Sequence, residues 1–122
     1  DHGKLVQFGT PRDIYEAPVS IYAASRLGQP RINILPADVF AGAPPGAVSI
    51  GLRPEQISQG AGEESLVKRV EHLGDQTRLH LHFKNHDLIT VTTPHTPLKA
   101  GDIIKIQPHR PFYFDAAGTR IA

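Results

Sequence analysis

His80-Leu81-His82 is the spacing in this chain best suited to sharing a metal ion, because alternate positions on a strand point to one face. A zinc site needs more ligands than two. With no cysteine in the sequence and no third ligand nearby, the pair reads as a solvated strand face, and no metal is expected. His72, His86, His95 and His109 fall near expected turns, where protonation changes little beyond net charge. Nucleotide chemistry needs a glycine-rich loop followed by Lys and Ser or Thr, so that backbone amides and the lysine neutralise phosphate while the hydroxyl holds magnesium. Here Gly3-Lys4 is followed by Leu5 and no other Gly-Lys pair exists, so this chain alone is expected to hydrolyse no ATP and to act as no enzyme. Ser49 and Ser58 lack the Gly-x-Ser-x-Gly elbow of a serine nucleophile. Glu63-Glu64 follows two glycines in an expected loop, which keeps both carboxylates in water and out of acid–base work.

Two further groups could bind rather than react. Phe112, Tyr113 and Phe114, with His109, Arg110 and Arg120, form the only patch suited to stacking bases beside positive charge. Two of these aromatics share a strand face and read as core, which leaves Tyr113 alone, and no nucleic-acid partner is expected. Arg53-Pro54-Glu55 is the sharpest local signature. Arg53 on an exposed face could clamp a carboxylate across a subunit boundary. Equally, Arg53 and Glu55 could flank a rigid turn and fix its entry angle.

Composition limits what these residues can serve. At 122 residues the chain suits one domain, or one domain plus part of another, and a unit of this size buries about two-thirds of its unfolded surface. Thirteen basic against twelve acidic residues give a net charge of +1, too weak a field to gather nucleic acid or an acidic membrane. The lack of cysteine agrees with a reducing, cytosolic compartment. No window approaches the roughly 20 consecutive apolar residues that cross a bilayer.

The elements that must position the candidate residues follow from periodicity. Lys4–Phe8 reads as a short strand. Thr10 and Pro11 suit the cap and first position of a helix running to about Glu16, and Pro18 opens a second helical pattern through Ile21, Tyr22, Ser25 and Leu27 that stops at Gly28 and Pro30. Helix is expected only within these first 28 residues. Val48, Ile50 and Leu52 then alternate with Ser49, Gly51 and Arg53, predicting a strand with the first three in the core. Thr77–Lys84 predicts the clearest strand, with Leu79, Leu81 and Phe83 inward and Arg78, His80, His82 and Lys84 outward. Leu88–Thr93 and Ile103–Gln107 predict two more, and Phe112–Ile121 a hairpin turned at Asp115–Gly118. Ala41–Ala47 and Gly60–Glu64 are expected loops. Short strands with frequent turns predict a mainly β sandwich or small barrel.

Three segments carry a family resemblance in their order and spacing: Ser49-Ile50-Gly51-Leu52-Arg53-Pro54-Glu55, Val70-Glu71-His72-Leu73-Gly74-Asp75-Gln76-Thr77, and Phe114-Asp115-Ala116-Ala117-Gly118-Thr119-Arg120-Ile121. Together they resemble the TOBE (transport-associated OB) domain, the small barrel at the C-terminus of ATP-binding subunits of carbohydrate-type ABC importers. Gln7-Phe8-Gly9-Thr10-Pro11, Tyr15-Glu16-Ala17-Pro18 and Gly28-Gln29-Pro30-Arg31-Ile32-Asn33-Ile34-Leu35-Pro36 resemble the junction where the ATPase domain of such subunits ends.

The resemblance implies a mainly β, OB-like barrel of short antiparallel strands, preceded by a short strand and two short helices. Residues 1–28 would be the tail of a nucleotide-binding domain lying before Asp1, and residues 29–122 the regulatory barrel. In that family the barrel does no chemistry, holds two ATPase subunits together as a homodimer, and in some members receives a regulatory protein or metabolite. ATP and magnesium are then cofactors of the full-length protein and not of this stretch. The membrane subunits of a sugar or glycerol-phosphate importer become partners through the ATPase domain, which places the protein in the cytoplasm at the inner face of the membrane. Arg53, Glu55 and Tyr113 are the candidate interface residues, and no catalytic residue is expected. Ser25-Arg26 stands where the family usually has apolar residues, and a short segment between Pro36 and Val48 implies a reduced first half of the barrel. An alternative on the same fold is an oxyanion-binding barrel like its molybdate-binding relatives, with Thr90, Thr92, Thr93 and Lys99 as candidate ligands.

Overall fold

The computed structural model describes residues 9–25 and 30–122. In chain order the elements are α1 Pro11–Glu16, α2 Ile21–Ser25, β1 Asn33–Pro36, a 3-10 turn Ala37–Val39, β2 Ser49–Leu52, a second 3-10 turn Pro54–Gln56, β3 Ile57–His72, β4 Thr77–Phe83, β5 His86–Thr92, β6 Ile103–Pro108 and β7 Phe112–Phe114. They group into two compact units, one running to Arg53 and rejoined by Arg110–Ala122, the other Pro54–His109.

In the first unit, α1 begins on Pro11, whose fixed φ and missing N–H suit a first helical position. The Ser20 hydroxyl caps α2 by accepting from the Ala23 amide at 3.1 Å. β1, β2 and β7 form a three-stranded antiparallel sheet with β2 in the middle. Ala24, Ile32, Phe112 and Phe114 pack as its buried cluster. Gly51 is glycine for want of space: a Cβ there would lie 2.8 Å from Phe114 Cε2 and 3.2 Å from Ile32 Cδ1. Covered on both faces, β2 buries Ile50, Gly51 and Leu52 in succession. Val48, expected in the core with Ile50 and Leu52, precedes the strand and is 53% exposed. After β7, Asp115 Oδ1 accepts from the Ala117 and Thr119 amides, and the chain returns so that the Ile121 amide donates to the Tyr113 carbonyl at 2.9 Å. The terminal hairpin turned at Asp115–Gly118 is therefore present, with Gly118 at φ +81°.

The second unit is a four-stranded antiparallel sheet in the order β5-β4-β3-β6. β4 alternates as its sequence predicts: Leu79, Leu81 and Phe83 are buried, while Arg78, His80 and His82 lie on the other, partly solvated face. Val67, Leu88 and Ile106 complete that core. β4 and β5 are joined by a two-residue turn in which Lys84 (φ 47°) and Asn85 (φ 66°) both take the left-handed conformation that matches strand twist. The ladder does not close on itself. Instead, two side chains tie β5 to the stretch that enters β3: Thr90 Oγ1 donates to the Pro54 carbonyl at 2.7 Å, and Gln59 Nε2 donates to the Val91 carbonyl at 3.0 Å.

Several expectations need correction. Gly60–Glu64 is not a loop but part of β3, where Gln59 and Glu63 both oppose Ile106 and the residues between them bulge out of the ladder. Gly60 and Gly62, at φ +102° and +107°, permit that bulge. Helix is not confined to the first 28 residues, because each of the two 3-10 turns follows a strand at a proline-led corner. The expected Lys4–Phe8 strand and the 28/29 boundary lie outside the described residues. Among the described residues no helix is long and apolar enough to cross a membrane.

Candidate functional site

Arg53, expected on an exposed face, is 1% exposed, and its guanidinium lies 4.1 Å from the centre of the Tyr15 ring. The physical reason is the double coverage of β2: a strand buried on both faces leaves no solvated side for the residue that continues it. Tyr113, also expected to be exposed, is 9% exposed, opposite Ile50 in the middle of a β7 whose three aromatics are all buried. No aromatic of that trio is left free to stack on a base, and Arg120 instead covers Phe112 at 4.8 Å. Glu55 is exposed in its 3-10 turn. The structure thus keeps one of the three candidate interface residues at the surface.

Two of the four candidate oxyanion ligands, Thr90 and Lys99, are engaged within the fold. The Thr90 hydroxyl is buried and committed to the Pro54 carbonyl. Asp102 Oδ1 accepts from the Lys99 ammonium at 3.2 Å and its Oδ2 from the Lys99 amide at 3.0 Å, closing a turn. These bonds, the amide one first, hold the Asp102 carboxyl below its ordinary value of 3.8.

The two strand histidines each face a carboxylate on a neighbouring strand. His80 Nε2 pairs with Glu71 Oε1, and Arg69 Nη2 lies 3.3 Å from the same oxygen. The bond from His80 depresses the Glu71 carboxyl below 4.5, with the charges of Arg69 and Arg78 adding to it. His82 Nδ1 lies 3.0 Å from Asp87 Oδ1, and Lys68 Nζ lies 3.6 Å from it. The His82 bond likewise lowers Asp87. Chemically this is a face of mixed ion pairs. Among the described residues no group of three or more metal-type side chains converges.

One surface went unread in the sequence. Across the outer face of the four-stranded sheet, Asp87, His82, Leu66 and Ile103 stand in one row, each opposite the next. Leu66 and Ile103 are 38% and 57% exposed. Glu64 and Lys105, also cross-strand partners and also exposed, stand two residues away on the same face.

The family model for the TOBE domain matches residues 50–111, which takes in the whole of the four-stranded unit. The chain belongs to the TOBE domain family. Curated relatives include the sn-glycerol-3-phosphate import ATP-binding protein UgpC 3 of Agrobacterium fabrum, 31% identical, with 98% of this chain aligned to 40% of the relative. UgpC of a Ruegeria species is 31% identical over 98% of this chain and 40% of its own length. The maltose/maltodextrin import ATP-binding protein MalK of Photorhabdus laumondii is 29% identical over 98% and 41%. This TOBE chain therefore spans about two-fifths of the length of those relatives. The match also includes the buried Arg53 and the bulged β3, while Tyr113 and the terminal hairpin lie beyond it.

Proposed function

We propose that this TOBE chain serves as the regulatory and dimerisation part of an ATP-binding subunit of an ABC importer for sugars or related solutes such as glycerol phosphate. Residues 1–28 would carry the end of a nucleotide-binding domain, and residues 29–122 the regulatory part. The single observation that supports this is the alignment of 98% of the chain with relatives named as import ATP-binding proteins. ATP and magnesium would be handled by the nucleotide-binding portion of such a subunit, because the sequence here has no phosphate-binding loop. The membrane subunits of the importer and a second copy of the chain would be its partners, at the cytoplasmic side of the membrane. Its own contribution is mechanical: a contact between two copies that persists without nucleotide.

Sedimentation equilibrium of the pure chain at about 30 µM, a concentration that populates contacts of micromolar affinity, tests this reading. A dimer unchanged by ATP and magnesium is expected, with no phosphate released. A strict monomer would refute the dimerisation role, and a saturable thermal shift at micromolar ATP would refute its separation from nucleotide chemistry.

A further inference from the structure

Leu66 on β3 and Ile103 on β6 are direct cross-strand partners whose side chains lie on the outer face of the sheet, while Val67 beside them is fully buried. Aligned apolar neighbours of this kind, flanked by charge, have the anatomy of an interface: an apolar centre and a polar rim. On the dimerisation reading given above, we propose that this face is where two copies of the chain meet, about a two-fold axis, with Leu66 and Ile103 at the centre.

Charge selects the occupant. Lys105 and Glu64 stand on one side of the apolar pair, and Lys68 and Asp87, 3.6 Å apart, on the other. A partner of one sign, such as a polyanion or an acidic membrane, meets as much repulsion here as attraction. A second copy turned by a two-fold axis sets Glu64 of each against Lys105 of the other, so the rim is complementary to itself. The face is used rather than the neighbouring edge. β6 is an edge strand of this sheet, but it carries the exposed Lys105 and ends on Pro108, two features that blunt edge-to-edge pairing. A stable contact needs roughly 600 Å² from each copy, more than two aliphatic side chains supply, so the charged rim must be inside the contact.

Sedimentation equilibrium of the full chain and four variants tests the assignment, with melting temperature as a check on folding. Ile103→Lys should raise the dimer dissociation constant at least about thirtyfold, the size of a hot-spot loss. Lys105→Glu and Glu64→Lys should each weaken the dimer about fivefold by creating like-charge neighbours. The double variant Glu64→Lys/Lys105→Glu should return to within about twofold of the wild type, because the exchanged pair is again self-complementary. All three positions substituted are exposed, so melting should barely move. A wild-type dimer that Ile103→Lys and Lys105→Glu leave intact would overturn this face while sparing the dimerisation reading. A wild-type monomer would overturn both, and would leave Leu66 and Ile103 to a different polypeptide.

Discussion

Gly60 and Gly62 differ in one respect that can be measured. Both sit in the β3 bulge at almost the same left-handed φ, +102° and +107°. An alanine at either pays the conformational strain of positive φ, about 1–3 kcal/mol. At Gly60 a Cβ meets nothing within 4 Å, so strain is the whole cost. At Gly62 it would lie 2.0 Å from the Ile106 carbonyl oxygen, 2.7 Å from the carbonyl carbon and 2.8 Å from Gln107 Cβ. Backbone on an adjacent strand cannot swing aside as a side-chain tip can, so β6 must move by more than about 1 Å to restore contact distance. Ile106 is the residue that both Gln59 and Glu63 oppose, and its side chain is fully buried. Moving it breaks about two ladder bonds, each costing about 1–2 kcal/mol when its groups are left buried. Gly60→Ala should therefore cost about 1–3 kcal/mol, and Gly62→Ala about 3–7 kcal/mol. Urea unfolding followed by far-ultraviolet circular dichroism reads the difference. Should Gly62→Ala unfold the protein outright, Asn at each position still separates the causes, since Asn tolerates positive φ better but keeps its Cβ. Equal losses at the two glycines, for Ala and for Asn, would refute the claim that close approach of β6 dictates Gly62.

Two other outcomes follow from buried and paired charge. Arg53→Ala should lose about 2 kcal/mol through the removed stack on Tyr15, and Arg53→Lys should recover less than half, because an ammonium lacks the planar face; a lysine variant within about 0.5 kcal/mol of wild type in the same urea assay would dismiss the stacking. Glu71, Asp87 and Asp102 all have carboxyls depressed in the folded chain. Depressed groups stabilise the fold above their unfolded values, here 4.5 for Glu71 and 3.8 for both aspartates, and that contribution disappears as pH falls through the folded values. Unfolding midpoints should thus decline on acidification from about pH 5 downward, and the decline should be shallower in the Glu71→Gln/Asp87→Asn/Asp102→Asn variant, so an identical acid limb would show these pairs to be idle.

What could be read from the residues, and what could not, divides by whether a feature is local. The alternation of β4 is local, since Leu79, Leu81 and Phe83 announce a face within seven residues, and so is the Asp115–Gly118 turn, which its own side chain and glycine build. The bulge in β3 is not. Glycines punctuate loops and bulges alike, and only the position of Ile106 on a strand some forty residues later decides between them. Arg53 follows the same rule. Its own segment shows an arginine at the end of an alternating strand, and nothing there reveals that Phe114 and Ile32 cover the opposite face of β2 and leave the arginine to be buried.

The Leu66–Ile103 surface lies between these cases. Leu66-Val67 and Ile103-Ile104 are adjacent apolar doublets, and on a strand with period two one member of each must face away from the core. That much is legible from either segment. Which member faces out depends on the register of β3 with β6, which sets Ser65 against Ile104 and Leu66 against Ile103. A slip of one residue would turn Ile103 toward the core and set Ile104 or Asp102 against Leu66, so that Leu66 and Ile103 would no longer share a face. In the register adopted they adjoin, with Glu64 and Lys105 beside them in the same pairing. The bulge at Gly60–Gly62 fixes that register, because it absorbs the extra residues between Gln59 and Glu63 before the ladder resumes. Gly62 is thus tied to the proposed contact as well as to the fold: a substitution there that shifts β6 without unfolding it should weaken the dimer, although the residue itself lies outside the contact.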